Sequence, residues 1–460
     1  MRVGAAIVPV YIGDETPGLR APGAASQWWL HHSLTQLSSD LAARGARLVL
    51  RRGNATRVLL ELVRETGAAQ VIWNTIFDPG YLAADAHLAE ALNQSGVSPR
   101  RFNGGHLVVP GTVRTKTGGA YGVFTPFWRT ARDQVATGDA LAAPVHIPSP
   151  ALSPGSDHLE DWHLLPRKPD WAQGFAVWQP GEDGAREALQ TFVDKALHRY
   201  DGDRDRPDRP GTSRLSPHIH FGEISVRAIW RAGQFAAHQG LASDHQVEKL
   251  QAELGWREFN AGIALAQHEA GRDLARENYD PRFDRFPWRE DPAGLIAWQR
   301  GQTGYPIVDA GMRQLWATGW MHNRVRMIVA FFLTKHLMID WRLGEAWFWD
   351  TLVDADHASN AGNWQWVAGS GADASPYFRI FNPTLQGQKF DPDGGYVRTW
   401  VPELRSLPTK LIHTPWLVAR DRSGTVGGRN YPEPVVEHSF ARQRALGAYG
   451  TLKSQIMLQA

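Results

Sequence analysis

The sequence predicts two domains of different class. An α/β domain with a parallel sheet covers residues 1–129, and a larger all-α domain covers residues 176–460. Three observations carry this. Short apolar runs alternate with helical stretches at the start of the chain. A Pro-, Ser- and His-rich stretch without hydrophobic period covers residues 130–175. Beyond Trp178 helical segments follow one another.

In the first domain Ala5–Ile12 (AAIVPVYI) reads as a buried strand. Trp28–Ala43 reads as a helix that ends at Gly45, Arg47–Arg51 as a strand, Ala55–Thr66 as a helix and Val71–Asn74 as a strand. Strands separated by helices imply crossover connections and hence a parallel sheet. The run APVHIPSPALSPGSDHLEDWHLLPRKPD reads as an interdomain linker. After it, Pro180–Gly181–Glu182 opens a helix through Tyr200. Ser225–Gln239, Asp244–His268, Ile307–Thr318 and His322–His336 follow. In the last of these Val325, Ile328, Val329 and Phe332 fall at i, i+3, i+4 and i+7, an amphipathic spacing.

Composition narrows the function. The chain has no cysteine, which excludes disulfides, thiolate metal sites, iron–sulfur clusters and a cysteine nucleophile. No run is long and apolar enough to span a membrane, and the start lacks a secretion-signal pattern. The expectation is a cytoplasmic monomer with no membrane partner. Net charge is +2, from 49 basic and 47 acidic residues, so any nucleic-acid contact must come from local clusters. The 20 tryptophans stand out. They suit either core filling or stacking and electron transfer, and composition does not choose between them.

Four segments can carry chemistry. Gly211–Ser216 (GTSRLS) offers hydroxyls and backbone N–H groups to a phosphate, although Ser and Thr before a helix are more often caps. Glu253, Trp256 and Arg257 share one helix face, which suits a polar aromatic ligand, although a packed Trp beside an ion pair is the commoner arrangement. In Gly319–Met327 (GWMHNRVRM), Asn323 can give and take hydrogen bonds and Arg326 can pair with a later carboxylate. In VDADHASNAGNWQW, Asp354, Asp356 and Asn360 fail the calcium-loop pattern, because Ser359 and Gln365 stand where Gly and Glu are needed. They read as acceptors for a ligand or for Arg326, and no metal is expected.

Together these segments resemble the DNA photolyase/cryptochrome family, closest to its class I cyclobutane pyrimidine dimer photolyases. The runs that carry the resemblance are WQPGE (178–182), GTSRLSPHIHFGEIS (211–225), ELGWREF (253–259), WQRGQTGYPIVDAGMRQLWATGWMHNRVRM (298–327), DWRLGE (340–345), ASNAGNWQW (358–366) and PYFRIFNPTLQGQKFD (376–391), with YGVFTPFWR (121–129) at the exit from the α/β domain. The resemblance implies FAD in the helical domain and DNA containing pyrimidine dimers as partner. Its implied cofactor residues are Tyr200, Thr212, Ser213, Arg214, Leu215, Ser216, Arg257, Trp320, Arg326, Asp354, Ala355, Asp356 and Asn360, the last facing flavin N5. Glu253, Trp256, Asn323, Met327 and Trp366 are implied at the flipped-out dimer, and Arg204, Arg324, Gln386 and Lys389 at the DNA. Trp364, Trp341 and Trp288 match a relay of electrons from the surface to the flavin.

The chain also departs from the pattern. The strand and arginine-rich loop that usually precede VPVYI have no counterpart, so the α/β domain is expected to be N-terminally truncated relative to the family and its sheet to lack an internal strand. Thr75 and Ile76 stand where charged residues usually line an antenna pocket, which leaves a folate- or deazaflavin-type antenna open. Leu250 replaces a Trp common beside the FAD. The alternatives are a cryptochrome-type light sensor, which need not keep the dimer pocket, and a photolyase for the 6-4 lesion, which usually carries a His pair where this chain has only His322.

Overall fold

The computed structural model describes residues 6–136, 138, 141–151, 153–374, 378–418 and 430–457. Ala5 of the first expected strand, a few linker positions, and Pro376 and Tyr377 of the last motif lie outside these.

The α/β domain alternates β1 (Val10–Asp14), α1 (Ala24–Ala42), β2 (Val49–Gly53), α2 (Ala55–Thr66), β3 (Gln70–Asn74), α3 (Pro79–Gln94) and β4 (Ser98–Phe102), followed by α4 (Phe124–Ala131). Local signals account for several boundaries. Asn54 caps α2 by accepting from the N–H of Arg57, and Gly67 ends it with φ 64°. Asp78 caps α3 and Pro79 occupies its first turn. The helix read from Trp28 begins four residues earlier, at Ala24, and α3 and β4 were not foreseen.

All strand pairs are parallel. β1 pairs with β2, Val10 opposite Val49, and β3 pairs with β4, Gln70 opposite Ser98. No ladder joins the two pairs among the described residues. Among the described residues the strands thus form two separate parallel pairs. Helix α2 spans the division, with Leu59 packing both on the cluster of Val49, Val58 and Leu62 and on that of Leu88, Leu92 and Val97.

The stretch read as a linker is strapped to this domain. Ile147 N donates to Arg44 O (2.8 Å) and Asp157 N to Leu50 O (2.8 Å). Trp162 is buried against Leu30, Leu34, Leu48 and Leu50.

The helical domain comprises α5 (Glu182–Lys195), α6 (Tyr200–Asp203), α7 (Ser216–His220), α8 (Val226–His238), α9 (Asp244–Glu269), α10 (Pro292–Gln299), α11 (Pro306–Thr318), α12 (Asn323–Phe331), α13 (Trp341–Thr351), α14 (His357–Ala368), α15 (Pro383–Phe390), α16 (Gly395–Trp400) and α17 (His438–Met457). Three corrections follow. The helix expected from Glu182 to Tyr200 stops at Lys195. The helix expected through His336 becomes a π-helix over Phe332–Leu337. Helices α6, α7, α10 and α13 to α17 were not predicted. The main core gathers Val308, Met321, Val329, Phe332, Trp341, Trp364 and Val397. Leu250 belongs to a second core with Val247 and Leu254 against α8. Among the described residues no helix is long and apolar enough to cross a membrane.

His322 caps α12, its Nδ1 accepting from the N–H of Arg324 (3.2 Å). Burial, then the nearby Arg324, Arg326 and Arg214, push its imidazole down to about 4 despite Asp205. The unfolded chain takes up this proton near pH 6.5. The neutral ring's contribution is therefore complete above pH 6.5 and is lost as pH falls toward 4, roughly 3 kcal/mol in all. Denaturant midpoints measured from pH 7 to 4 should fall less steeply in His322→Asn, which can cap without titrating. Some slope should persist from His336, pushed down to about 3 chiefly by burial. An unchanged slope would show that His322 does not set the acid sensitivity.

Candidate functional site

The site forms where α12 meets the turn that enters α14. Arg326 reaches from α12 to Asp354, with Nη2 to Oδ2 at 2.8 Å, and its Nε donates to Met321 O at 2.7 Å. The Asp354 side chain is 3% exposed. Its second oxygen, Oδ1, is buried without a hydrogen-bond partner. Leaving such an acceptor unsatisfied is costly, so it marks a place for an N–H from a ligand.

Asp356, two residues on, caps α14 by accepting from Ser359 N (2.7 Å). Burial pushes its carboxyl up, but Arg257, His220 and Ser359 outweigh this and hold it below the usual carboxylate range. Arg257 comes from α9 and is anchored to Gly105 O (2.6 Å) and His106 Nδ1 (3.2 Å). His220, at the end of α7, is open to solvent. Desolvation nevertheless pushes its imidazole down, against the pull of Asp356 and Asp354. His220 thus stands close to both aspartates. Ala355 lies buried between the two aspartates.

The segment Gly211–Ser216 supplies donors. Ser216 begins α7, yet that helix has no side-chain cap. The cap reading of these hydroxyls therefore does not hold. Ser216 is exposed, and Thr212 and Ser213 are half-buried. Only Ser213 Oγ is engaged, accepting weakly from Leu215 N (3.4 Å). Arg214 adopts φ 52° and lies 5.1 Å over the ring of the buried Trp320. Burial lowers its guanidinium from its ordinary value. The Leu215 side chain belongs to the core and not to this group of polar side chains. Tyr200 is buried, its phenol pushed up by desolvation and by Glu253.

Asn360 is one turn into α14 and 8% exposed. Its Nδ2 donates to Glu345 O (3.0 Å) and Oε1 (2.8 Å). Trp364, 2% exposed, packs edge-on against Phe348 (5.0 Å) and Trp298 (6.1 Å). Trp341 is fully buried and donates to Asn278 Oδ1 (2.9 Å). Trp288 is half-buried beside Phe286. All three border one hydrophobic cluster.

Outside this, a continuous chain of contacts joins four helices. Glu253 pairs with Arg204 (2.6 Å), and Arg204 lies over Tyr200. Arg324 pairs with Asp205 (2.8 Å), lies 4.5 Å over Phe390 and reaches Met327 Sδ (3.7 Å). Lys389 is exposed over the same Phe390, Gln386 is half-buried on α15, and Asn323 is exposed at the start of α12. Glu253 and Arg204, expected at the lesion and at the DNA respectively, meet each other here. Trp256 lies apart from the chain, one face stacked on Phe124 at 3.8 Å and 7°. Trp366 packs edge-on to Phe331 with Arg379 over its ring.

Sequence reasoning missed Phe124 as a partner of Trp256, Asp205 as a partner of Arg324, and His220. His220 had a signal, its place in HFGEIS; Asp205 had none.

Comparison with known proteins gives the family. Residues 250–451 match the family described as the FAD binding domain of DNA photolyase, and residues 2–150 the family described as DNA photolyase. The chain is 50% identical to a deoxyribodipyrimidine photo-lyase of Agrobacterium fabrum, over 98% of this chain and 93% of that protein. It is 37% identical to Cryptochrome-1 of Arabidopsis thaliana, over 96% of this chain and 66% of that protein. The crystal structure of a bacterial class III photolyase from Agrobacterium tumefaciens superimposes with a TM-score of 0.91 at 49% identity, over 98% of this chain and 93% of that one. The subclass in that description is III, so the comparison lends no weight to the expected class I. The chain belongs to the DNA photolyase/cryptochrome family.

Proposed function

We propose that this chain is a deoxyribodipyrimidine photolyase that uses light to split cyclobutane pyrimidine dimers in DNA. The observation that carries the reading is a set of unsatisfied groups, with Arg214 and the Asp354 partner Arg326 both lying over Trp320. Among the described residues Asp354 Oδ1 lacks a donor, while the hydroxyls of Thr212 and Ser216 and the Arg214 guanidinium lack polar protein partners. One acceptor and several donors fit the N–H edge of a flavin and the phosphates of FAD respectively. When bound, reduced FAD supplies the light-driven electron that opens the dimer.

The protein's own residues do the rest. Arg326 and Asp354 fix the flavin's polar edge, Asp356 and Arg257 serve the ribose or adenine side, and the 211–216 segment holds the phosphates. Trp364, Trp341 and Trp288 carry electrons inward from the surface. Trp256 offers the dimer the ring face that Phe124 leaves uncovered, and Trp366 offers a second wall. The pairs Arg204–Glu253 and Arg324–Asp205 are partly open to water, with side chains 20–36% exposed. Pairs of that kind contribute little stability, so exchanging a carboxylate for a DNA phosphate costs little. The exchange also frees Glu253 for a pyrimidine edge.

The sensor reading rests on the likeness to Cryptochrome-1. The photolyase reading is favoured by the higher identity to a photo-lyase and by the presence of Glu253, Trp256, Asn323, Met327 and Trp366 together.

Three outcomes are expected. Asp354→Ala should lose FAD on purification and cost about 3 kcal/mol of stability by leaving Arg326 unpaired; full flavin absorbance in the variant would remove Asp354 from the site. Trp364→Phe should stop light-driven flavin reduction, followed by absorbance, while repair by chemically reduced enzyme continues. A wild-type photoreduction rate would leave Trp364 as packing alone. In binding assays, Trp256→Ala should weaken dimer-containing DNA by ten- to a hundredfold, since stacking is worth about 1–3 kcal/mol per base, and undamaged DNA hardly at all. Arg324→Ala should weaken both and reduce the salt dependence. Equal losses on both DNAs for Trp256→Ala would favour the sensor.

A further inference from the structure

Glu345 is a carboxylate held between two domains. Its side chain is 4% exposed. On one side Arg20 grips both oxygens, Nη1 to Oε1 at 2.7 Å and Nη2 to Oε2 at 2.8 Å. On the other side stands the Asn360 amide. Arg20 belongs to the α/β domain, in the loop between β1 and α1. Its guanidinium lies 3.9 Å over the ring of Trp349, and Trp349 Nε1 donates back to Ala21 O at 2.9 Å. A stacked, bidentate guanidinium is held in orientation in a way that an ammonium group cannot reproduce.

This arrangement decides which way Asn360 faces. Its amide has a donor end and an acceptor end. The Glu345 backbone carbonyl and Oε1 both accept, so the NH2 must face Glu345. The carbonyl Oδ1 therefore points away and takes no hydrogen bond from the described residues. An amide oxygen presented in this way attracts an N–H and repels a lone pair. A flavin N5 carries a hydrogen when reduced and a lone pair when oxidised, so an oxygen facing it favours the reduced form.

We infer that Arg20 is a positioning residue. Through Glu345 it fixes the Asn360 amide with its carbonyl toward the flavin, and so couples the α/β domain to the reduction equilibrium of the cofactor. This rests on the reading in which Asn360 faces flavin N5. Without Arg20 the Glu345 side chain loses its bidentate partner and can turn away. The Asn360 NH2 is then held by the Glu345 backbone carbonyl alone, and the amide is freer to turn round.

The test compares wild type, Arg20→Ala and Arg20→Lys with FAD bound, by spectroscopic redox titration. Arg20→Ala should retain FAD but favour the oxidised form about tenfold more, the worth of one hydrogen bond, or about 30 mV for a two-electron couple. Arg20→Lys should recover only part of this, because it restores charge without the fork. In apoprotein carrying 15N-asparagine, the Asn360 side-chain NH2 signals, assigned with Asn360→Ser, should exchange slowly in wild type and faster in Arg20→Ala. Should Arg20→Ala not fold, Arg20→Lys carries both measurements, with an intermediate shift expected. A wild-type potential together with unchanged Asn360 signals would overturn the coupling. Wild-type protein that takes up no FAD would instead overturn the site reading, and the apoprotein signals would still report whether Arg20 holds the amide.

Discussion

A carboxylate removed from water has to be paired, and the pairing of Asp354 with Arg326 sets the geometry of the site around it. The bond closes α12 onto the turn before α14. Because Arg326 Nε is also held by Met321 O, the guanidinium plane is fixed at two points. Asp356 then caps α14 two residues later, and Asn360 and Trp364 follow at four-residue steps, near one face of the same helix. The proposed ribose- or adenine-side ligand, flavin-facing amide and first relay tryptophan thus share one stripe of one helix. Removing either partner would leave the other unpaired, at a cost of about 3–5 kcal/mol where such pairs are fully buried. The site and the local stability rest on the same bond.

Packing holds that stripe in place. Gly344 on α13 lies directly against the Trp364 ring, and Gly362 on α14 lies against Asn260 of α9. A methyl at Gly344 would overlap the indole, so α13 and α14 can approach only with glycine there. Asn360 reaches Glu345 because that approach is close. The amide of Asn360 and the indole of Trp364 are therefore placed by the same helix contact, one by hydrogen bonding and the other by exclusion of space.

What the sequence revealed follows from how local each cause is. Helix α2 was read to the residue because Asn54 and Gly67 bound an apolar period. Helix α1 was read late because Gly23 gives no side-chain cap, and its start is set by docking on α13, with Ala24 N donating to Asp350 Oδ1 at 3.0 Å. The π-helix gave no signal, since it depends on tertiary contacts: Lys335 is buried there, with Nζ 2.5 Å from Ala368 O and 3.5 Å from the Phe378 ring centroid. Helices α13 and α14 each bury one face, but polar residues sit on it, Glu345 and Thr351 in the first and Asn360 and Gln365 in the second, which blurs the amphipathic period. Residue types at the site were legible from motifs, and the Arg326–Asp354 pair was anticipated. The pairings of Arg324 with Asp205 and of Arg20 with Glu345 span 119 and 325 residues, and nothing local encodes them.

The divided sheet bears on the site less than its place in the fold suggests. Parallel strands with open edges are exposed pairing surfaces, and β1 and β3 each present one. Yet among the described residues no hydrogen bond or ion pair runs from any strand to the helical domain. One set of ties comes from α1 and the loop before it: Ala24 to Asp350, Ser26 Oγ to Leu352 O at 3.2 Å, Trp29 Nε1 to Glu223 Oε1 at 3.0 Å, and Arg20 to Glu345. A second set comes from the segment after β4, where Gly105 O and His106 Nδ1 meet Arg257 and Val108 N donates to Glu258 at 3.4 Å. Asp78, at the start of α3, approaches His357 at 3.5 Å. The β1–β2 pair is braced by the strapped 141–162 segment, and both pairs lean on α2 through Leu59. The surface that meets the helical domain is thus carried by α1, its leading loop and the segment after β4, none of which is a strand.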